Sequence, residues 1–560
     1  MTVESFPNAW HAVVDHLRDA GVSVLFGLPG DDLEALCALE KAGMRMVLCR
    51  DQRNAVCMAA GYAIQSGRPG VCVVGKGPAT ANAVGGLLEA RSAGAPVVVL
   101  AGGTAADRRG SGAFQELEQI PLVTPVVKWA HRIDHADRVV PAVEKAFLLA
   151  GSGAPGPVYL EIPDHLAHVP VSRFRAWSPP ALVGATAVSG TGPAVAALEA
   201  SRRPILLVGG GMRHRNGDGV LESFADTAGA AVFSTASGRG TASEDHPLFC
   251  GLAGLYCPEA AAELWRTTDL VVAVGTALEE TATYGWDGAI GAETPVVQVN
   301  SDPGGLSTEY GGLRVVGDGA DVLRAWTRAL ASKPRDESWP AAIERCRADV
   351  RAQAEDRLAR MTAGDGLHVA EVLAAIDAVA PPSRILVQEN GLQDMWSYFY
   401  PYHVCRTRGG SLVPSEQTTL GFGAAAAAGA RLAAPDRPVI AFVGDGAFAT
   451  VRSELSALRR EGVGVVYVVL RNGGYGWLHA QVTSRGLDHR LHPFAADEEE
   501  QPEGAVVREK SQLEDALRDA LATCEHGGGP AIVHIDVQLT DTPPGITGLD
   551  GDFPGHANEI

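Results

Sequence analysis

Val439-Ile-Ala-Phe-Val443, followed at once by Gly444-Asp445-Gly446, is the stretch that decides the fold. A helix-patterned segment comes next, then a second apolar run from Val463 to Leu470, then Asn472-Gly473-Gly474. Together these read as a strand, a tight glycine turn bearing one carboxylate, a crossover helix, and a parallel strand that ends on an amide and two glycines. Both polar residues fall at carboxyl ends of strands, where open α/β sheets bind ligands. Gly444 and Gly446 let backbone N–H groups approach a phosphate, and the Asp445 carboxylate and Asn472 side-chain oxygen are hard donors suited to Mg²⁺. Either piece alone reads as an ordinary turn. Their order and strand-end placement describe a metal-bridged diphosphate site.

The composition fits a large soluble enzyme. The chain has 560 residues, 46% of them hydrophobic, enough for roughly three or four domains with cores of their own. A net charge of −20 argues against nucleic acid or an anionic membrane as partner, since both repel an acidic surface. No charged segment followed by an apolar one opens the chain, and no apolar run reaches the roughly 18 residues of a membrane span. The nine cysteines lack CxxC spacing, so neither a zinc site nor a disulfide framework is expected, and a cytoplasmic location is the default.

Apolar strands alternate with helical patterns through three blocks, which predicts an α/β protein of three doubly wound parallel-sheet domains. The first block ends near Pro170 and is followed by a linker through Trp177-Ser-Pro-Pro180. The second opens on Pro204-Ile-Leu-Leu-Val-Gly209, includes Asp269 to Gly275 and Pro295 to Val299, and closes near Ala331. A charged helical stretch from Trp339 to Met361 leads to the third. The expected domains are 1–175, 185–335 and 362–560.

The paired strand ends resemble the signature of thiamine-diphosphate (ThDP) enzymes, and matches in sequence order through most of the chain resemble the acetolactate synthase-like branch. In the first block these are Val24-Leu-Phe-Gly-Leu-Pro-Gly30, Asn54 through Met58-Ala-Ala-Gly-Tyr-Ala63, Gly77-Pro-Ala-Thr-Ala-Asn82 and Ala113-Phe-Gln-Glu116. The second adds Glu244-Asp-His-Pro-Leu248, and the third Met395-Trp396 and Thr419-Leu-Gly-Phe-Gly423. The resemblance implies a pyrimidine-binding first domain, a central domain, and a diphosphate-binding third domain whose Asp445, Asn472 and Gly474 carbonyl hold Mg²⁺. It further implies cofactor contacts at Gly391, Gln393, Leu420, Gly444, Gly446, Ala447, Asn472, Gly474 and Tyr475, with Leu420 under the ring system. The resemblance likewise places Phe114 and Gln115 on a loop that reaches the reacting centre in acetolactate synthase-like enzymes. The family pattern also implies a homodimer or homotetramer with sites at the dimer interface.

The chain departs from that pattern at several places. Family members carry a Glu nine residues before the Gly of Gly-Tyr-Ala, against N1′ of the aminopyrimidine, where it promotes deprotonation of thiazolium C2. Here that position is Gln52, and an amide cannot exchange a proton as a carboxylic acid does. Three roles stay open: weaker activation with catalysis intact, as in the glyoxylate carboligase branch; Asp51 acting in its place after a local shift; or cofactor binding without ordinary turnover. The segment Ser111 to Gln115 lacks the histidines that simple 2-oxo acid decarboxylases place near this loop, which favours carboligation. Thr276-Ala-Leu-Glu-Glu280 replaces an Arg- and Asp-bearing turn, so FAD is not expected. After Asn472 a second helix is expected to be missing or short, with the acidic run Asp497 to Gln501 as solvated loop.

The expected activity is ThDP- and Mg²⁺-dependent decarboxylation of a pyruvate-like 2-oxo acid with transfer of the acyl anion to a small-molecule acceptor. The alternatives are a C–C lyase or simple 2-oxo acid decarboxylase, and a catalytically impaired ThDP-binding homologue.

Overall fold

Three sheets of six parallel strands each carry the fold in the computed structural model, which describes residues 4–30, 33–173, 191–283, 290–291, 293–330, 338–361, 366–486, 502–525, 527–539 and 541–543. The first sheet contains β1 (Val24–Leu28), β2 (Arg45–Leu48), β3 (Gly70–Val74), β4 (Val97–Gly103), β5 (Trp129–Arg132) and β6 (Val158–Pro163). The second contains β7 (Pro204–Val208), β8 (Ala231–Ser234), β9 (Phe249–Leu252), β10 (Leu270–Val274), β11 (Val296–Asn300) and β12 (Gly312–Val316). The third contains β13 (Ile385–Gln388), β14 (Ser411–Leu412), β15 (Val439–Gly444), β16 (Val466–Arg471), β17 (Ala505–Val507) and β18 (Ala531–Asp536). The central strands are almost wholly buried apolar runs rich in Val, Ile and Leu, as burial on both faces by crossover helices requires.

In space the first sheet runs β2-β1-β3-β4-β6-β5 and the third β14-β13-β15-β16-β18-β17, the same order twice. The middle sheet runs β9-β8-β7-β10-β11-β12, the dinucleotide-fold order. The order reverses between β13 and β15 in the third sheet, so a crevice opens past Gln388 and Gly444.

Helices α1 (Gln52–Ser66) and α4 (Phe422–Ala433) are equivalent elements of the two like-ordered sheets, and they pack on each other more closely than side chains normally permit. A Cβ on Gly61 would strike the Ala426 backbone, and one on Gly429 the Met58 carbonyl. Glycine in a helix interior costs about 1 kcal/mol relative to alanine; here it is required by the contact. Phe26, Val47 and Val74 thereby join Phe422, Val439 and Val443 in one apolar core spanning both domains. Gly61→Ala is expected to force the pair apart and cost about 1–3 kcal/mol, seen as a lower denaturation midpoint.

The middle sheet is tied to the third domain by Arg239 and Glu244, both fully buried and 2.8 Å apart. Arg239 also donates to the Ser397 and His403 carbonyls, and Glu244 accepts from the Cys405 N–H at 2.7 Å. Helix α3 (Ser338–Met361) packs Trp339, Ile343 and Val350 into the separate core of the middle sheet. Residues 177–180 and the acidic run 497–501 lie outside the described residues. Between Asn472 and β17 there is one described helix, α5 (Gly476–Ser484), and a second past Asn472, Lys510–Glu525, lies between β17 and β18. None of the described helices is long and apolar enough to cross a membrane.

Candidate active site

β15 delivers Asp445 and β16 delivers Asn472 to the same end of the third sheet, since these neighbouring strands are parallel and in register from Ile440 against Val466 to Gly444 against Leu470. Asp445 opens a short helix, Asp445–Ala449, whose first N–H groups, including those of Gly446 and Ala447, have no helical partner and suit an anion. The Asp445 Oδ1 accepts from the Gly446 N–H at 2.8 Å, while its Oδ2 is buried without a partner. Burial pushes the Asp445 carboxyl above its ordinary range, against the neighbouring N–H groups of Gly446, Gly473 and Asn472. A bound cation would relieve that burden.

Asn472 is also held in place by its neighbours. Its Nδ2 donates to Gln393 Oε1 at 2.7 Å, and its Oδ1 accepts from the Gly474 N–H at 2.9 Å. Gln393 in turn donates to the Leu539 carbonyl at 2.7 Å, so its amide braces Asn472 from a buried position. Among the described residues no three His, Cys, Asp or Glu side chains converge as metal ligands. One carboxylate, one amide oxygen and one backbone carbonyl, with water and phosphate oxygens completing the shell, fit Mg²⁺. Tyr475, partly exposed, lies over Gly446, where a Cβ would come within 3.0 Å of its ring.

On the other side of the crevice, Gly391 donates its N–H to Asp394 at 3.2 Å. Asp394 is 1% exposed and its Oδ1 has no partner. Burial pushes its carboxyl up to about 7, with the Asp445 charge adding to the rise. Glu389, at the end of β13, accepts from the Ala424 N–H at 3.0 Å and caps α4 from a distance; burial pushes it to about 8. Neither carboxylate stands out in the sequence, because each is recognised only by backbone groups that folding brings to it.

Leu420 lies between Thr418, at φ 45°, and Gly421, at φ 86°, and is 50% exposed. Gln52 is the first residue of α1 and is buried; its Oε1 accepts from Asn82 Nδ2 at 3.2 Å. The adjacent Asp51 is the N-cap of α1, its Oδ1 accepting from the N–H groups of Arg53 at 2.8 Å and Asn54 at 3.2 Å. That carboxylate is committed to the helix start, which is the usual work of an N-cap Asp. Phe114, 72% exposed, and Gln115, at φ 56°, sit on the loop whose Gln115 carbonyl packs against Gly77. The turn Thr276 to Glu280 is closed on itself by a Thr276 Oγ1 to Glu279 bond of 3.1 Å.

Three family descriptions match the chain in order. These are the thiamine pyrophosphate enzyme N-terminal TPP binding domain over residues 7–122, the central domain over 192–326 and the C-terminal TPP binding domain over 390–535. Similar proteins include the acetolactate synthase isozyme 2 large subunit of Escherichia coli, 26% identical over 559 residues that cover 96% of this chain and 97% of that protein. The acetolactate synthase large subunit of Lactococcus lactis is 27% identical over 483 residues, covering 83% and 80%. An acetolactate synthase of Mycobacterium bovis is 28% identical over 482 residues, covering 83% and 76%.

Proposed function

Since the chain belongs to the thiamine pyrophosphate enzymes and is acetolactate synthase-like, we propose that it is a Mg²⁺-dependent carboligase that decarboxylates a pyruvate-like 2-oxo acid and joins the remaining acyl unit to an acceptor carbonyl. The observation that carries this reading is the buried, unpartnered Asp445 Oδ2 at a strand end beside the oriented Asn472. Asp445, Asn472 and the Gly474 carbonyl would hold the metal, and the N–H group of Ala447, with that of Gly446 if it turned from Asp445, the diphosphate. Bound ThDP supplies a nucleophilic carbon and an electron sink for decarboxylation. Gln52, its oxygen already taken by Asn82, offers only N–H to a ring nitrogen and supports slow rather than absent activation. Incubation with ThDP, Mg²⁺ and pyruvate should release CO₂ and form a new ketol; CO₂ with an aldehyde and no ketol would instead make it a simple decarboxylase.

The same reading places the working site between two chains. Phe114, Leu420 and Leu478 are large apolar side chains left 72%, 50% and 45% exposed on a single chain, at or beside positions assigned to the cofactor. A two-fold partner that covers them would complete two sites at once. Sedimentation is expected to give a dimer or tetramer, and a stable single-chain species with full cofactor affinity would count against the arrangement.

A further inference from the structure

The repeated strand order makes the first and third domains counterparts, and one pair of counterpart residues does something neither sequence block announces. In the first domain β3 leads through Gly75-Lys76-Gly77 into α2 (Pro78–Ser92), which carries Glu89; in the third β15 leads through Gly444-Asp445-Gly446 into the helical segment that carries Glu454. Both carboxylates are buried, at 0% and 1% exposure. Each crosses to the other domain. Glu89 accepts from the N–H groups of Ser415 at 2.5 Å and Thr419 at 2.9 Å. Glu454 accepts from those of Arg50 at 2.8 Å and Asp51 at 3.0 Å, and from Asn54 Nδ2 at 3.2 Å. The clamped segments are also counterparts: Ser415 to Thr419 leads from β14 into α4, and Arg50-Asp51 from β2 into α1.

Each clamped segment ends directly before a residue assigned to the cofactor ring. Leu420 is next in the chain after Thr419, and Gln52 after Asp51. We propose that Glu89 and Glu454 are paired positioning residues, each reaching from one domain to fix the backbone that aims the other domain's ring-facing side chain, Leu420 or Gln52. This rests on the reading of the site as a ThDP site. A carboxylate is the suitable group because it offers two acceptor oxygens to two converging N–H donors, and charge-assisted bonds to backbone amides are strong in a dry interface. The Glu89 clamp also holds Thr418 at φ 45°, a backbone state that a free loop would relax.

The test uses the full-length protein with Glu89→Gln and Glu454→Gln. Glutamine keeps one acceptor and turns an NH₂ against a backbone N–H, so one amide loses its partner. Calorimetric titration with Mg²⁺ compares two probes, ThDP and inorganic pyrophosphate. The expected result is unchanged affinity for pyrophosphate and about ten-fold or greater weakening for ThDP, the usual consequence of one buried donor left unsatisfied. Variants that keep the wild-type ratio of the two affinities, or that lose both equally, would overturn the positioning role. Wild-type protein that binds neither probe would instead overturn the site reading. Should either variant fail to fold, hydrogen exchange on wild type decides: the amides of Arg50, Asp51, Ser415 and Thr419 are expected to be protected, and free exchange at these four would remove the clamps.

Discussion

Asp445→Ala is expected to abolish retention of ThDP with Mg²⁺ while leaving the fold intact. Mg²⁺ sites draw few ligands from protein, so each carries much of the neutralisation that lets a diphosphate approach. Even groups one step removed from a metal are worth 10- to 100-fold in affinity, so loss of a direct carboxylate ligand should cost about 100-fold or more. Stability should hardly fall, since the carboxylate makes one local hydrogen bond, to Gly446, and its other oxygen has no partner to lose. Removing a buried carboxyl whose charged form is disfavoured can even stabilise the metal-free protein. Titration calorimetry together with thermal denaturation separates the two effects. Unchanged ThDP affinity would refute the metal assignment; a collapse of the denaturation midpoint would mean that Asp445 holds the fold.

Gln52→Glu is expected to speed C2–H/D exchange of bound ThDP by about 10²-fold or more, the typical worth of general acid–base assistance. The restored carboxyl can share a proton with a ring nitrogen, while the native amide offers one fixed N–H. Asn82 can still donate to the new side chain. Glu454 is close by, accepting from the N–H of the preceding residue, Asp51, and a second buried carboxyl there should raise the pKa values of both, favouring the protonated form the exchange needs. Overall turnover need not rise, because carboligation or product release can limit it. NMR-followed exchange in wild type, Gln52→Glu and Asp51→Ala decides the matter. No acceleration in the first variant with collapse in the second would make Asp51 the working acid, despite its commitment to the α1 N-terminus.

The strand ends that bring Asp445 and Asn472 together were legible in the sequence because everything that defines them is local: an apolar strand, a Gly-Asp-Gly turn, a second strand and its terminal Asn472. The three parallel-sheet blocks were legible for the same reason, through their alternation of strand and helix patterns. Glu89, Glu454, Glu389 and Asp394 were not, because their partners are backbone N–H groups, which every residue has, and for the two clamps these lie more than 300 positions away. The packing of α1 on α4 left one faint trace, glycines at 61 and 429 inside helical patterns, whose close-approach role emerges only when the two helices meet. Gln393 is expected from the sequence as a cofactor contact; in the fold its amide also bonds Asn472 and the Leu539 carbonyl, partners the sequence does not announce.

Two like-ordered domains in one chain raise the question of why metal should prefer one. The turn at the end of β15 reads Gly444-Asp445-Gly446, and its counterpart at the end of β3 reads Gly75-Lys76-Gly77. Where one half presents a carboxylate, the other presents an ammonium, tied to Asp164 at 2.5 Å. A divalent cation attracted to the first is repelled by the second. On the proposed reading, a single reversal of charge breaks the near-symmetry of a doubled scaffold, so that one half would anchor the diphosphate and its metal while the other would be free to hold the ring.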